Sequence, residues 1–359
     1  MKHDFHDLAI VDVRRETAHT LSFGLAVPPA LSKSFRFAPG QHIGVRATIG
    51  GEEVRRTYSI SSGPRDPLLW ITIKRVEDGL FSNWAHRSLS VGDTLGCMAP
   101  SGRFVAQQAN GRIMAIVAGS GITPVVSIIE HALARDPDGA YTLIYGNRTV
   151  DEIIFRERLE GLKNQHLQRL QIFHVLSRDS GEADVPLLSG RIDADKLARL
   201  ASSMTLNRID EVLLCGPDTL IKDARATLLS LGVPRERIRF EYFRAGPRSA
   251  VEPARTTARP QETTQVTGAE IVAILDGTRR TFRVAEGQHI IDAGLTQGVK
   301  LPYSCKGGMC CTCRAMLLEG EVVMDRNFSL QAWEMEAGFV LTCQSRPTTP
   351  RVVLDYDRS

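Results

Sequence analysis

Apolar and polar residues alternate in short runs through the N-terminal part of the chain, as far as about Val105. Turn-forming pairs such as Pro39-Gly40 separate the runs. A two-residue period is that of strands with one buried face, and evenly spaced short strands are typical of a small antiparallel barrel. The predicted strands are Leu8–Val13, Leu21–Val27, His42–Ile49, Val54–Ile60 and Leu69–Val76. We therefore predict a β-barrel over residues 1–106.

The pattern changes after this region. The run Arg112–Ala118 is apolar almost throughout, which predicts a strand buried on both faces. A glycine-rich turn and a helical stretch, Pro124–Ala134, follow it. Later apolar runs with helix-like segments between them are Tyr141–Tyr145, Leu170–Leu176 and Glu211–Cys215. Strands that alternate with helices predict a doubly wound parallel sheet, which we place over residues 107–246.

Composition shifts again between residues 247 and 268. The segment PRSAVEPARTTARPQETTQVTG has no aromatic residue and few apolar ones. Such a segment cannot bury enough apolar surface to fold alone, so we predict a linker over 247–268. Alternation resumes at Ile271, Ala273 and Leu275, and a third domain is predicted over 269–359.

Composition and charge narrow the range of partners. The chain has 359 residues, of which 43% are hydrophobic and 24% charged, the proportions of an ordinary globular protein. Its net charge of +3 is spread along the sequence, so we expect no nucleic-acid partner. No stretch approaches a membrane span, and the first residues lack the apolar core of a signal peptide. We expect a cytoplasmic protein with no membrane partner.

Cysteines supply the strongest chemical signal. Cys97 and Cys215 are isolated, whereas the other five of the seven fall near the C-terminus. In a cytoplasmic chain such a group indicates metal or redox chemistry rather than disulfides. Three of them are spaced C-x4-C-x2-C, with a fourth far downstream, which is the spacing of a plant-type [2Fe-2S] cluster. The predicted metal ligands are Cys305, Cys310, Cys313 and Cys343.

The residues around these cysteines also favour a cluster. Two irons and two sulfides need four thiolates, and Gly307 and Gly308 let one loop turn tightly and point amides at sulfur. A zinc site is the alternative, but zinc usually takes a second CxxC or histidines, and neither lies near this motif. Cys311 stands between two ligands, and we expect a small buried thiol there.

Two short motifs in the predicted barrel are candidates for a flavin nucleotide. Alternation places Arg56 and Tyr58 on one face of a strand, where an arginine can clamp a pyrophosphate and a tyrosine can pack on a flavin. A tyrosine in a barrel strand is also a common core residue. Gly79 and Ser82 open a helix-like stretch, whose free amides suit phosphate.

The predicted parallel sheet carries two further motifs. Gly119–Pro124 follows the first apolar strand and opens a helix, the arrangement of a phosphate-binding turn, although it lacks the third glycine of the dinucleotide fingerprint. An ordinary connection between strand and helix is the other interpretation. Cys215-Gly216-Pro217 ends a later strand at the same carboxyl edge, where such sheets bind ligands.

These motifs together resemble a known family. In order, RTYS, GLFS, GSGITP, YGNR and CGP resemble the ferredoxin–NADP reductase superfamily, including the oxygenase reductases, and the C-terminal portion resembles plant-type β-grasp ferredoxins. Over the whole chain, FAPGQHI, RRTYSI, AGSGITP, LIYGNRT, SGRID and LPYSCKGGMCCTC are similar to the reductase subunits of bacterial phenylacetyl-CoA epoxidases. The resemblance implies FAD, a [2Fe-2S] cluster and NADPH as cofactors.

The resemblance also implies roles at the flavin. Arg56 would bind the FAD pyrophosphate, Tyr58 would pack on the flavin, and Ser59 would lie near its reactive N5 atom. Gly79 and Ser82 would hold phosphate. From the residues alone, FAD and FMN are not distinguished.

For the nicotinamide nucleotide, the resemblance implies that Thr123 and Cys215-Gly216 frame the reacting ring and that Phe243 shields the flavin. The implied catalytic residues are Ser59, Cys215 and Phe243. The implied nucleotide site comprises Gly119, Gly121, Thr123, Pro124, Arg148, Ser177, Arg178, Cys215, Gly216 and Pro217. Arg178 stands where relatives place groups for a 2′-phosphate, which favours NADPH over NADH; a solvated surface arginine is the alternative.

The expected function is electron transfer from NADPH through FAD and the cluster to a non-haem diiron oxygenase. The resemblance implies that this is the phenylacetyl-CoA epoxidase of phenylacetate degradation, whose oxygenase subunits would be the partners. A reductase for another oxygenase, such as a steroid or aromatic-ring hydroxylase, is an alternative. A redox-sensing iron–sulfur module is a further one, which the nucleotide motifs disfavour because a sensor needs none.

Overall fold

A computed structural model of the protein describes residues 4–106, 111–178, 186–202, 206–244 and 268–358. The chain divides into two compact units, Met1–Arg244 and Ala245–Ser359. The predicted linker, 247–268, lies outside the described residues except for Gly268, and the domain boundaries at 106 and 246 stay predictions. In the described ranges no helix is both long and apolar enough to cross a membrane.

The first sheet is the predicted barrel. Its antiparallel strands run in the order β4-β3-β6-β1-β2-β5, and a bridge between Ile60 and Ile71 joins the two outer strands. The elements are β1 (Phe5–Thr17), β2 (Thr20–Ala26), β3 (His42–Ile49), β4 (Glu52–Ser59), β5 (Leu69–Lys74), α1 (Leu80–Ser88) and β6 (Thr94–Met98). Buried apolar side chains from alternate positions fill the interior.

The first strand is longer than its predicted core, Leu8–Val13. It pairs with β6 through Phe5–Ala9 and with β2 through Ala9–Thr17. Its second half carries Arg14 and Arg15 and buries few side chains. Backbone pairing with β2, which an apolar pattern does not reveal, therefore extends the strand.

The second sheet is parallel and doubly wound, as predicted, in the order β11-β10-β7-β8-β9. Its elements are β7 (Arg112–Ala118), α2 (Ile122–Arg135), β8 (Ala140–Asn147), α3 (Arg156–Gln165), β9 (Leu170–Leu176), α4 (Ala194–Ser202), β10 (Glu211–Pro217), α5 (Asp218–Ser230) and β11 (Ile238–Arg244). One core packs α2 and α3 on one face, and a second core packs α4 and α5 on the other. This double burial explains the continuous apolar runs.

The second unit holds a mixed sheet in the order β13-β12-β18-β14-β16, with a two-stranded sheet of β15 and β17. Its elements are β12 (Ala269–Leu275), β13 (Thr278–Val284), α6 (Ile290–Thr296), β14 (Arg314–Glu319), β15 (Val322–Met324), α7 (Ala332–Glu336), β16 (Phe339–Leu341), β17 (Ser345–Pro347) and β18 (Arg351–Asp355). The sheet and α6 enclose one apolar core, which is the predicted β-grasp architecture. The predicted fold class is thereby confirmed for all three sheets.

Candidate functional site

The four predicted metal ligands come together in the second unit. Three lie on the loop between α6 and β14, and Cys343 lies between β16 and β17. The thiols contact one another in two pairs, Cys305 with Cys310 and Cys313 with Cys343. Two irons that are each held by two protein thiolates require this division into pairs. The residues therefore fit a two-iron cluster.

The closest thiol contacts bear on the zinc alternative. A structural zinc site needs four ligands that converge on one point, whereas the closest contacts here join the thiols in two pairs.

Backbone amides of the cluster loop point at the sulfur atoms. The Gly307 N–H donates to Cys305 Sγ at 3.3 Å, and the Gly308 N–H donates to the Cys343 sulfur. Gly308 has a φ of +76°, and an added Cβ would lie 3.0 Å from the Arg326 carbonyl oxygen. Amides in these positions stabilise thiolates and the extra negative charge of a reduced cluster.

The electrostatics of the second thiol pair are unequal. The hydrogen bond between Cys313 and Cys343 lowers the pKa of Cys343, and the same contact together with burial raises the pKa of Cys313. Both thiols must lose their protons when a metal binds, because the ligands are thiolates. Cys313 and Cys343 are buried and Cys305 is half-buried, so the Cys305 side lies nearest to solvent.

Cys311 differs from its neighbours in backbone conformation. Its φ is +55°, in the left-handed region, which costs a residue with a Cβ about 1–2 kcal/mol. The half-buried side chain packs against the core of the second unit. Its exclusion from the ligand set stays a prediction.

The flavin candidates lie along β4. Arg56 and Tyr58 stand opposite Val45 and Ile43 of β3, so both occupy the same face of the sheet. Burial raises the pKa of Tyr58, so its phenol stays neutral, and its ring lies 5.7 Å from that of Phe81. Arg56 is exposed, and its Nη1 donates to the Arg55 carbonyl oxygen at 2.7 Å. Ser59, which ends the strand, is only 5% exposed.

The motif at the start of α1 forms a closed turn. Gly79 precedes the helix, and the Ser82 hydroxyl donates to its carbonyl at 3.3 Å and accepts the N–H of Val76 at 3.1 Å. The hydroxyl is therefore used within the turn. The groups that remain suited to a phosphate are the amides at the helix N-terminus.

The turn Gly119–Gly121, which we call the nucleotide turn, directly contacts the end of the neighbouring strand β10. Gly119–Gly121 forms one helical turn before α2, and a Cβ on Gly121 would lie 2.2 Å from the Cys215 carbonyl oxygen. The Thr123 hydroxyl closes the turn by donating to the Ser120 carbonyl at 3.0 Å. Pro124 is the third residue of α2 rather than the first. The two motifs meet at the carboxyl edge of the sheet between β7 and β10, where the strand order reverses. We name this carboxyl edge the nucleotide edge.

Strand β11 adds an acid that the sequence analysis missed. Glu241 pairs with Cys215, and burial followed by the nearby Glu241 carboxylate raises the Cys215 pKa. The Oε1 atom of Glu241 lies 3.5 Å from Nδ1 of His42, a buried residue of the barrel. The sequence signal that could have identified Glu241 is its position as the one acidic residue among the aromatic residues of FEYF. Phe243 packs against the core shared with α2 and α3.

Lys74 is a second residue that the sequence analysis missed. It ends β5 in the barrel, and its Nζ lies 3.1 Å from Glu152 Oε2 on the nucleotide side. The same Nζ is 3.9 Å from the point that a Cβ on Gly119 would occupy. The barrel therefore places a cation beside the nucleotide turn, a position that only the packing of the two sheets reveals.

Two arginines lie side by side at the ends of β8 and β9. The Arg178 N–H donates to the Arg148 carbonyl at 2.8 Å, and the Ser177 N–H donates to the Asn147 carbonyl at 3.0 Å. Both arginine side chains are exposed. Exposed arginine side chains at this edge suit an anionic ligand, although the Arg148 guanidinium also lies 3.9 Å from Glu152 Oε1.

Protein families match all three sheets. The matches are to an "Oxidoreductase FAD-binding domain" over residues 7–105, an "Oxidoreductase NAD-binding domain" over 115–226 and a "2Fe-2S iron-sulfur cluster binding domain" over 273–348. The matched stretches include the β4 and α1 motifs, the turn before α2, Cys215-Gly216-Pro217 and the four cluster cysteines, whereas Glu241 and Phe243 of β11 lie beyond the second match. FAD, NAD(P)H and a [2Fe-2S] cluster are therefore the cofactors of this chain.

Relatives match the chain from end to end. It is 39% identical to a component of the 1,2-phenylacetyl-CoA epoxidase of Escherichia coli K12, over 98% of both chains. It is 32% identical to the ferredoxin reductase component of 3-ketosteroid-9-alpha-monooxygenase from Rhodococcus rhodochrous, over 97% of this chain and 96% of the relative. The fold is shared with phthalate dioxygenase reductase, with a TM-score of 0.57 at 20% identity over 98% of both chains. The chain therefore belongs to the family of NAD(P)H-dependent flavoprotein reductases that join a ferredoxin–NADP reductase portion to a plant-type [2Fe-2S] ferredoxin and serve as oxygenase reductase components.

Proposed function

We propose that the chain passes electrons from NADPH through FAD and the [2Fe-2S] cluster to the oxygenase subunits of a diiron phenylacetyl-CoA epoxidase. One observation supports this electron route most strongly. The same chain contains the nucleotide edge and four thiols that contact one another in two pairs. NADPH gives up two electrons at once and the cluster accepts one, and a bound flavin supplies the chemistry that converts between them.

On the flavin side, the chain's own residues bind FAD and orient its reacting ring. Arg56 holds the FAD pyrophosphate with its exposed guanidinium, Tyr58 packs its neutral ring against the flavin, and buried Ser59 lies near N5. The turn from Gly79 to Ser82 holds phosphate with the amides that follow Gly79, because the Gly79 N–H itself donates to the Val76 carbonyl at 3.0 Å. A buried Ser59 and the apolar barrel core keep water away from the reacting atom.

On the nucleotide side, Thr123 and Cys215-Gly216 frame the nicotinamide, since the turn and the end of β10 touch. Gly119, Gly121, Pro124 and Pro217 shape that edge. Ser177 and Arg178 bind the 2′-phosphate that distinguishes NADPH from NADH, and Arg148 belongs to the same nucleotide site. Phe243 shields the flavin from the side of β11.

The choice of oxygenase is supported by the relative with 39% identity over 98% of both chains, whose name gives phenylacetyl-CoA epoxidase. A second candidate is a steroid-hydroxylating oxygenase, which the relative with 32% identity favours. The test supplies purified full-length protein with NADPH and either the epoxidase oxygenase subunits or those of the steroid monooxygenase. We expect product formation coupled to NADPH oxidation only with the epoxidase. Coupling only with the steroid oxygenase would replace the proposed partner and leave the electron route intact.

A further inference from the structure

A salt-bridged contact joins the two sheets of the first unit next to the proposed flavin strand. Arg158 of α3 donates to both carboxylate oxygens of Glu130 in α2, with 2.5 Å from Nε to Oε1. The same guanidinium donates to the carbonyl oxygen of Ser61 at 3.0 Å. Ser61 belongs to the barrel and stands two residues after Ser59. We name Glu130, Arg158 and Ser61 the Arg158 clamp.

A second bond holds the next residue of the same segment. The Ser127 hydroxyl of α2 donates to the Ser62 carbonyl at 2.6 Å and is fully buried. Two successive carbonyls just after Ser59 are therefore bonded to α2 and α3. Because α2 begins at the nucleotide turn, these bonds fix the end of β4 relative to that turn.

The clamp has the features of a rigid contact rather than a surface ion pair. A two-pronged arginine–carboxylate contact constrains both groups in direction as well as distance. The side chains of Arg158 and Glu130 are 30% and 23% exposed, so solvent screens them less than a pair on the open surface.

The chain just before the clamp is strained. Phe155 has a φ of +61° and is 4% exposed, and its ring lies 5.3 Å from the Arg158 guanidinium. A left-handed conformation is unfavourable for a bulky residue and persists only where the surroundings hold it. Phe155 immediately precedes α3 and so sets where Arg158 stands along the helix.

We propose that Arg158 is a positioning residue for hydride transfer, because it fixes the flavin-bearing strand against the nucleotide-binding edge. This inference rests on the proposed function. The step it governs breaks the C4–H bond of the reduced nicotinamide and forms an N–H bond at flavin N5. Both electrons travel with the hydride, so the nicotinamide is oxidised and the flavin reduced. Misplacement by about 1 Å can slow such a step by about 100-fold.

The test compares two arginines of one helix. Arg158→Ala removes the clamp, and Arg156→Ala removes an exposed arginine whose Nε lies 2.9 Å from Glu160 within α3. Full-length, FAD-loaded proteins are mixed anaerobically with NADPH, and flavin bleaching is followed together with the long-wavelength charge-transfer absorbance of stacked nicotinamide and flavin. We expect Arg158→Ala to bleach about 10- to 100-fold more slowly, with weaker charge-transfer absorbance and a little-changed Michaelis constant for NADPH. Arg156→Ala should match the wild type.

A further variant keeps the test decisive if Arg158→Ala folds poorly. Arg158→Lys keeps a positive charge beside Glu130 but cannot reach two partners as a planar fork, so it should show the same defect in milder form. Wild-type bleaching and charge-transfer absorbance in both Arg158 variants would overturn the inference. A loss of rate that merely follows loss of bound FAD would also overturn it. If the wild-type protein itself failed to reduce FAD with NADPH, the proposed function would fall as well.

Discussion

The cluster loop and the nucleotide edge are both redox sites, yet the chain assembles them in different ways. Three of the four cluster ligands lie within Cys305–Cys313, so the loop's own backbone places them. The nucleotide edge instead collects residues from the turn after β7, from β10 and from β11, which only sheet packing brings together. A local site depends on the identity of a few side chains, whereas a distributed site depends on how well its elements fit.

The largest effect is expected at the cluster loop. Replacing any one of Cys305, Cys310, Cys313 or Cys343 by serine should abolish or severely destabilise the cluster, because each iron needs two of these thiolates. Iron and acid-labile sulfide should fall from about two of each per chain. Cys311→Ala is the matched control and should keep both.

This prediction separates ligand identity from mere position in the loop. Loss of iron in Cys311→Ala, with iron retained in one of the four serine variants, would show that the ligand set is wrong. Flavin content, measured in the same samples, should stay constant because it belongs to the other unit.

At the nucleotide edge, a single added methyl group should act through packing. Gly121→Ala places a Cβ 2.2 Å from the Cys215 carbonyl oxygen, so the turn and β10 must move apart. We expect NADPH-driven reduction of ferricyanide to fall by about 100-fold, since the reacting atoms lose their alignment. Iron content should not change.

Gly161→Ala is the matched control, because a Cβ at that helical position meets nothing within 4 Å. It should keep full activity and gain about 0.5–1 kcal/mol of helix stability. Full activity in Gly121→Ala would contradict the view that close packing defines this edge.

A smaller effect is expected from the arginine that we propose binds the 2′-phosphate of NADPH. Arg178→Ala should raise the Michaelis constant for NADPH by about 10- to 100-fold, the equivalent of one lost charge-assisted contact of about 1.5–3 kcal/mol. NADH should be nearly unaffected because it has no 2′-phosphate. Arg199→Ala, on the exposed side of α4, serves as the control. Equal losses with both nucleotides would remove Arg178 from the 2′-phosphate site.

The smallest effect should come from backbone strain in the cluster loop. Cys311→Gly removes the penalty of a left-handed φ of +55°, offset in part by the greater chain entropy of glycine. We expect iron release to a chelator to be equal or slightly slower, within about 1 kcal/mol of added stability. Cys311→Ala keeps the penalty and should release iron at the wild-type rate. Faster release from the glycine variant would show that the Cys311 side chain supports the cluster.

The same contrast explains which features the sequence predicted. The strands Arg112–Ala118 and Leu170–Leu176 were predicted with the bounds observed. The first lies in the middle of the sheet and is apolar and buried along nearly its whole length. The second is an edge strand that buries only Leu170 and Val175. The second half of β1 was not predicted, because it pairs with β2 while its exposed arginines interrupt the alternation of apolar and polar residues. Apolar periodicity reports burial, so it misses strands that backbone hydrogen bonds alone extend.

The candidate sites divide in the same manner. The two thiol pairs follow from spacing along one loop, and the contact between the nucleotide turn and Cys215 follows from the rule for parallel sheets. Lys74 and Glu241 were missed because each acts across an interface: Lys74 reaches Glu152 from the barrel, and Glu241 reaches His42. Pairings between distant segments leave no spacing signal in a single sequence.

In the route we propose, electrons pass from NADPH to the flavin and only then through the cluster to the oxygenase. The most direct measurement uses full-length Cys305→Ser protein loaded with FAD, beside the wild type. Both should reduce ferricyanide with NADPH at similar rates, because that acceptor takes electrons from the flavin. Only the wild type should support turnover of the oxygenase, since the variant lacks the one-electron outlet. Oxygenase turnover at the full rate by a variant shown to contain no iron would contradict the proposed order.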